Sequence, residues 1–341
     1  MEPLAALIPP ASPFPSRISP YAAQAEREVR AYLRRCGLLP GAGAADYYFG
    51  SRLGYLTAQI YPDALPDRLP IVARWFCVWT MFDDQLEKLP DERPAAAVRL
   101  VADAMLTWLG LRLAPPDPHV VPFQAGFGGA WADLRRLSSP VWQRRFLTHT
   151  EQYLDGCLWE ATNRYTGTVP TLKSYIEQRR RFGGIRAAMD LSEFATGYEL
   201  PERVHDDPLT QDLLDVLGDI TLWGNDLFSV GVDAEEGNVS NLVFVLQRHL
   251  RCGVDNAATA VSRMLVGRLR LLRRLESRLP RCCAALRLTP TQCRDVGRFV
   301  AGMHTWISGN IAWSRDNTRY RSSAPRVGGS QPNFLLALVP G

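Results

Sequence analysis

The stretch ARWFCVWTMFDDQLEK (73–88) ends in three carboxylates, Asp83, Asp84 and Glu87. At 100° per residue, Phe76, Trp79, Thr80, Asp83 and Glu87 fall on one helical face, so an aromatic stripe runs into a carboxylate pair at i and i+4. Acids in the last turn of a helix oppose its dipole, which speaks against a purely structural turn. Oxygen ligands with few basic neighbours suit a hard divalent cation, and Mg²⁺ takes one or two protein carboxylates and completes its shell with water and phosphate oxygens. A second stretch, WGNDLFSVGVD (223–233), sets Asn225, Ser229 and Asp233 at i, i+4 and i+8. Each step of four adds about 40° of drift and about 6 Å of rise, so an amide, a hydroxyl and a carboxylate lie on a slowly turning stripe. Taken singly, the first stretch also reads as core aromatics above a solvated turn, and the second as a cap followed by polar surface. Two oxygen-ligand helices in one chain give the cation reading its weight.

Helices must position these groups. The chain has 341 residues, long enough for two average domains or one large one. Its composition, 46% hydrophobic and 22% charged and rich in Ala, Leu and Arg, is that of a soluble globular protein. Helical periodicity covers roughly 20–36, 44–60, 69–88, 91–112, 121–136, 139–164, 171–196, 208–231, 238–251, 255–278 and 289–316, with Ser19 and Pro20 as the expected N-cap and N1 of the first helix. Alternating strands bounded by hairpin signals, a GxGxxG motif and a P-loop are all absent from the sequence. The expected fold class is all-α. One helical domain over 21–320 is expected, after an extended Pro-rich segment (1–20) and before a mobile tail (321–341).

The net charge of +4 and the dispersion of the arginines leave no footprint for nucleic acid. Seven cysteines without CxxC spacing, several in apolar runs, read as free thiols in a reducing cytoplasm. The start MEPLAALIPPASPFPS has no secretion-signal pattern, and no apolar run approaches a membrane span. HDD at 205–207 lacks other histidines at ligand spacing and reads as the loop before a helix that starts near Pro208.

DDQLE (83–87) together with NDLFSVGVD (225–233) resembles the paired metal motifs of bacterial class I terpene synthases, the aspartate-rich DDxx(D/E) motif and the triad NDxxSxx(K/R)(E/D). Further segments resemble the family in its order. They are RISPYAAQAE (17–26), YPDA (61–64), GCLWEATNRYTGTVPTLKSYIEQRRRFGG (156–184) and the Arg-Tyr pair that ends GNIAWSRDNTRY (309–320). The resemblance implies the all-α terpenoid synthase fold, a helical bundle with a central apolar cavity whose mouth carries both motifs. It further implies a prenyl diphosphate substrate, farnesyl diphosphate first, released diphosphate, three Mg²⁺ ions, and a homodimer as a candidate assembly. By the same resemblance Asp83, supported by Asp84 or Glu87, and Asn225, Ser229 and Asp233 hold metal. Arg179 is the pyrophosphate sensor, Phe182 the linker, Gly183 the effector, and Arg319 and Tyr320 contact diphosphate. Phe76, Trp79, Phe82, Trp159, Trp223 and Trp306 are candidates to line the cavity and face a carbocation.

The chain departs from the family pattern at three positions. Val232 stands where the family has a basic diphosphate contact, leaving Arg180 or Arg181 to compensate, and Phe182 occupies a position that is often smaller or polar. Asp233 replaces the commoner glutamate, about 12 Å along a straight helix from Asn225. Because glycine departs readily from helical angles, the helix is expected to end or bend near Gly231 and carry Asp233 toward the metal, with Glu235 or Glu236 as the alternative ligands. Two rival functions share this architecture. A chain-elongating prenyl diphosphate synthase would carry a second aspartate-rich motif where NDLFSVGVD stands, and a catalytically silent terpenoid-binding relative would not need the motif residues this chain retains.

Overall fold

Helix follows helix through the computed structural model, which describes residues 12–39, 48, 50–89, 94–110, 121–317 and 333–338; Arg319 and Tyr320 lie outside the described residues. The helices are α1 (Ala22–Arg35), α2 (Leu53–Ile60), α3 (Leu69–Leu86), α4 (Pro94–Trp108), α5 (Val121–Arg136), α6 (Pro140–Thr166) and α7 (Leu172–Phe182). They continue as α8 (Ile185–Thr196), α9 (Glu202–His205), α10 (Pro208–Glu236), α11 (Leu242–Leu250), α12 (Val254–Glu276), α13 (Leu279–Ala285) and α14 (Pro290–Asp316). No strand occurs among the described residues, so the all-α expectation holds. No helix of the described residues is long and apolar enough to cross a membrane.

Local chemistry sets most boundaries. Pro follows a side-chain cap at the start of three long helices, Ser139 for α6, Asp207 for α10 and Thr289 for α14, where Gln292 closes a capping box. Asp207, part of the HDD segment, thus accepts from Leu209 N–H at 2.9 Å, and His205 pairs with Glu193 at 2.8 Å. The first helix starts later than expected, at Ala22, while Ser19 Oγ accepts from Tyr21 N–H one turn earlier. The helix expected over 171–196 is two helices. Gly184, at φ +65°, takes the left-handed conformation that a glycine adopts without a Cβ penalty, and α8 departs in a new direction. The short α9 and α13 fall in segments where no helix was expected.

The buried apolar residues form one continuous core that includes Trp75, Trp142, Phe146 and Phe127. Around the cavity stand α2, α3, α6, α7, α8, α10 and α14, each contributing lining residues. Helices α4, α5 and α12 form an outer layer, with α5 against α3, α4 against α6 and α12 against α10. Glycines set two of the crossings. A Cβ on Gly309 would lie 2.6 Å from the carbonyl O of Gln59, so α14 approaches α2 backbone to backbone. A Cβ on Gly156 would lie 2.6 Å from the backbone N of Phe182, so the end of α7 is held against α6. Gly156→Ala is therefore expected to cost about 1–3 kcal/mol of stability, as overpacking does, and to displace the turn that carries Arg179. Denaturant melts with unchanged slope and a lowered midpoint would register the effect; an unchanged midpoint would contradict the close approach.

Within the tail, residues 333–338 are described and fold back onto the domain. Residues Phe334–Leu338 form a 3₁₀ turn in which Leu335 is fully buried and Phe334 meets Phe123 edge-on at 6.1 Å. Asn333 Nδ2 donates to the carbonyl O of Gln85 at 2.8 Å, and Phe334 N–H donates to Gln85 Oε1 at 2.8 Å. The apolar run FLLAL supplies the driving force. This segment braces the back of the helix end that carries Asp83 and Asp84.

Candidate active site

A cavity of about 290 Å³ opens between these helices. Its floor is apolar, with Leu53, Leu56, Trp75, Ile185 and Leu191 among the lining residues, and its mouth is acidic. Among the described residues six carboxylates line it, Asp83, Asp84, Glu87, Glu160, Asp226 and Asp233, against two cations, Lys88 and Arg179. Such an excess of negative charge in a concave wall calls for bound cations.

One wall is the end of α3. The predicted stripe is intact: Phe76, Trp79, Thr80, Asp83 and Glu87 all line the cavity, joined by Asp84. Asp83 accepts from the Tyr153 hydroxyl of α6, and Tyr153 in turn lies under Trp79 with ring centroids 4.2 Å apart. Asp84, buried, accepts from Tyr48 at 3.5 Å.

The facing wall is the last three turns of α10. The expected end of this helix near Gly231 is not observed: α10 runs unbroken to Glu236 and stops at Gly237, which takes φ +68°. Gly231 meets no steric demand for its missing Cβ, and the helical hydrogen bonds outweigh its weak propensity. Asp233 nevertheless lines the cavity with Asn225 and Ser229, whereas Glu235 does not. Side-chain contacts do what backbone bending was expected to do. Ser229 Oγ donates to Asp233 Oδ2 at 2.6 Å, and Asn241 Nδ2, from the cap of α11, donates to the same oxygen at 2.8 Å. Thr221 adds a further lining residue one turn below Asn225, on the same stripe.

Behind this wall lies a buried polar cluster. Asp226 accepts from Arg179 at 2.8 Å on one oxygen, and from the Tyr175 hydroxyl at 2.7 Å and Leu242 N–H at 3.1 Å on the other. Arg179 also donates to Asn225 Oδ1 at 3.0 Å and stacks over Phe182, its guanidinium carbon 4.9 Å from the ring centroid. Gly183 lines the cavity at the end of α7, where a Cβ would meet Leu222 Cδ1 at 2.3 Å. Val232, Phe182 and Gly183 thus all reach the cavity, and Arg319 and Tyr320 fall outside the described residues.

Of the six candidate cavity aromatics, Phe76, Trp79 and Trp306 line it and the other three do not. Phe82 is fully buried between Phe123 and Phe127, with centroids at 5.6 and 5.5 Å. It lies six residues from Phe76, which turns it about 120° away around α3. Trp223, two residues from Asn225, is turned away from the site, with the Arg268 guanidinium 5.2 Å from its ring. Trp159 packs behind Phe182 at 6.2 Å. Sequence reading passed over Tyr153, Glu160, Asp226, Asn241 and Trp313. Asp226 and Asn241 had signals, the ND dipeptide and an Asn before an apolar run. Trp313 had a spacing of seven from Trp306.

Charge crowding leaves its mark on acidity. Burial raises the Asp233 carboxyl to about 6, against the bonds from Ser229 and Asn241. Burial, then Arg179 in the opposite sense and the Asp83 charge, leave Glu160 at about 7. Glu87 is held well above the carboxylate range by enclosure in the concave wall and then by Asp83, Glu160, Asp84 and Asp233. Solvent reaching its exposed side chain softens the first cause, and the repulsion keeps the direction. Asp233 and Glu160 keep protons in the folded chain where the unfolded chain has lost them. The stability this confers is complete below about pH 4 and is lost as pH rises through about 6 and about 7. In chelator, the Tm is expected to fall from about pH 5 to about pH 8, and added Mg²⁺ to flatten the slope, because a cation favours the deprotonated groups. A Tm flat or rising over that range in chelator would contradict this assignment.

Among the described residues no three His, Cys, Asp or Glu side chains converge into a ready-made metal cage. The donor set fits Mg²⁺ all the same, since both walls offer carboxylates, completed on α10 by an amide and a hydroxyl oxygen, and the remaining positions suit water and phosphate.

The chain matches the family model described as terpene synthase family 2, C-terminal metal binding, over residues 74–270. It is 30% identical to a germacrene A synthase of Nostoc punctiforme over 91% of this chain and 94% of that protein. It is 31% identical to a (-)-beta-caryophyllene synthase of Saccharothrix espanaensis described as (2E,6E)-farnesyl diphosphate cyclizing, over 96% and 92%. The crystal structure of an a-eudesmol synthase superposes with a TM-score of 0.80 at 25% identity, covering 91% of this chain and 99% of that one.

Proposed function

The chain belongs to the bacterial class I terpene synthases, and on that footing we propose that it ionises farnesyl diphosphate with three Mg²⁺ ions and cyclises the resulting cation. The observation that carries this reading is the joining of an acidic, two-walled mouth to an aromatic chamber in one cavity. A prenyl diphosphate has the matching form, a charged head and a hydrocarbon tail. The name of the caryophyllene-forming relative supports farnesyl as the chain length.

In this reading Asp83, supported by Asp84 or Glu87, and Asn225, Ser229 and Asp233 hold the metal ions. Bound Mg²⁺ supplies Lewis-acid and electrostatic stabilisation of the departing diphosphate. Arg179 presents its guanidinium to the diphosphate from the end of α7, with Asp226 and Phe182 fixing its orientation, and by the family resemblance Arg319 and Tyr320 contact the diphosphate as well. The fixed pair limits the reorganisation Arg179 undergoes when charge builds on the leaving group. Gly183, at the break between α7 and α8, brings backbone rather than a side chain toward the ionising carbon. Phe76, Trp79 and Trp306 then face the allylic cation with ring surfaces that stabilise positive charge without bonding to it. Apolar walls beneath exclude water until proton loss or water capture ends the reaction. Free cysteines support a cytoplasmic setting.

Incubation with Mg²⁺ and, separately, geranyl, farnesyl and geranylgeranyl diphosphate, followed by gas chromatography with mass detection, tests the reading. A cyclic fifteen-carbon hydrocarbon or alcohol from farnesyl diphosphate is expected. Longer diphosphates formed with an added five-carbon unit, or no product from any of the three, would overturn it.

A further inference from the structure

Positive charge is sparse and unevenly placed at the cavity mouth. Among the described lining residues the cations are Arg179 and Lys88. On the α10 wall Val232 lines the cavity where a basic side chain would face a diphosphate, and its isopropyl group offers no donor. The arginines that follow Arg179 do not make up the loss. Arg180 is turned to the other side of α7, where it donates to Asp219 at 2.8 and 2.7 Å and to Asp215 at 2.7 Å. Arg181 is exposed at the α6–α7 crossing, and neither residue lines the cavity. Lys88 is placed differently. It follows Glu87 directly beyond α3, its backbone N–H bonded to Gln85 O at 3.2 Å, and it lines the same cavity from the aspartate-rich side.

We propose that Lys88 supplies the diphosphate contact that Val232 cannot, so that this chain holds the anion's free oxygens from the α3 side of the mouth. The inference rests on the reading of the cavity as a prenyl diphosphate site. An ammonium on a four-carbon stem is a compact charge with three donors and can follow an anion that enters at the rim. Lying at the exposed rim, the contact is worth about a tenfold change in affinity rather than a thousandfold one. Lys88 could instead serve only to offset Asp83, Asp84 and Glu87. The two roles differ in sign. A side chain that merely neutralises carboxylates competes with metal, so its removal tightens Mg²⁺ and leaves diphosphate alone or tightens it too. A side chain that contacts diphosphate weakens that anion's binding when removed.

Calorimetric titration of inorganic diphosphate at saturating Mg²⁺, beside titration of Mg²⁺ alone, separates them in wild type, Lys88→Gln, Lys88→Arg and Lys88→Gln/Val232→Lys. Lys88→Gln is expected to weaken diphosphate binding about tenfold, Lys88→Arg to retain most of it, and Val232→Lys to restore it in the Lys88→Gln background by returning a cation to the other wall. Unchanged or tighter diphosphate binding in Lys88→Gln, a double variant as weak as the single one, or no diphosphate binding by wild type would each overturn the proposal. Turnover by the wild type is scored separately. Absence of any terpene product, with the diphosphate affinities behaving as expected, would remove the synthase reading and leave the anion contact. Normal product formation with an unchanged affinity in Lys88→Gln would do the reverse.

Discussion

Asp83→Asn is expected to lower kcat/KM for a prenyl diphosphate by about a thousandfold, close to 4 kcal/mol of lost transition-state stabilisation. The amide keeps an oxygen to accept from Tyr153 and keeps the shape of the α3 end, so the fold has no reason to change. What is removed is the charge that would bring a cation onto this wall. The effect should appear in kcat and in the Mg²⁺ concentration required, with Tm held or raised, because one charge fewer remains among Asp83, Glu87 and Glu160. A loss of less than about tenfold at saturating Mg²⁺ would remove Asp83 from the metal site.

Asp226→Ala is expected to strike stability as well as turnover. It strands a buried guanidinium, a buried tyrosine hydroxyl and a backbone N–H, since Arg179, Tyr175 and Leu242 N–H all converge on that carboxylate. Breaking a buried pair from one side costs about 3–5 kcal/mol. In a chain of this size that is a fall in Tm of roughly 5–10 °C by calorimetry. Burial raises the pKa of Asp226 while Arg179, Tyr175 and Leu242 work against that shift, so the carboxylate stays charged only in company. With Arg179 held by Asn225 without Asp226, activity should fall even where the variant stays folded. A drop in Tm below about 2 °C would mean that the cluster is looser than its distances imply.

The sequence exposed the helices that begin with a capped proline, α6, α10 and α14, because cap and N1 residues act within one turn of chain. It also exposed the α3 face from Phe76 to Glu87, because a helical period fixes which residues share a side. The same periodicity, applied more strictly, would have turned Phe82 away from the cavity. It could not have placed Trp159, whose exclusion depends on how α6 meets α7 at Gly156.

Gly231 shows where local reasoning gave out. Its intrinsic cost predicted an interruption, yet α10 continues to Gly237, and tertiary packing overrides a penalty of about 1 kcal/mol. The short Asp233 is drawn into the site by Asn241, eight residues on and in another helix, and by Ser229 one turn back. The turn over 334–338 follows a related rule: FLLAL has no periodic partner in its own segment, and its place is decided by Gln85 and Phe123.

What the sequence determined by itself was the helical class, the two oxygen-bearing stripes and, through their resemblance to a family, the chemistry they serve. These are properties of residue type and short-range spacing. Only the tertiary structure decided which side chains share the mouth, that among the described residues six acids meet two cations there, that Arg180 serves Asp219 rather than the cavity, and that Lys88 stands on the aspartate-rich side. Those facts depend on distances between helices far apart in the chain, and such distances are set by packing at close crossings such as Gly156 and Gly309 rather than by any pattern readable along one segment.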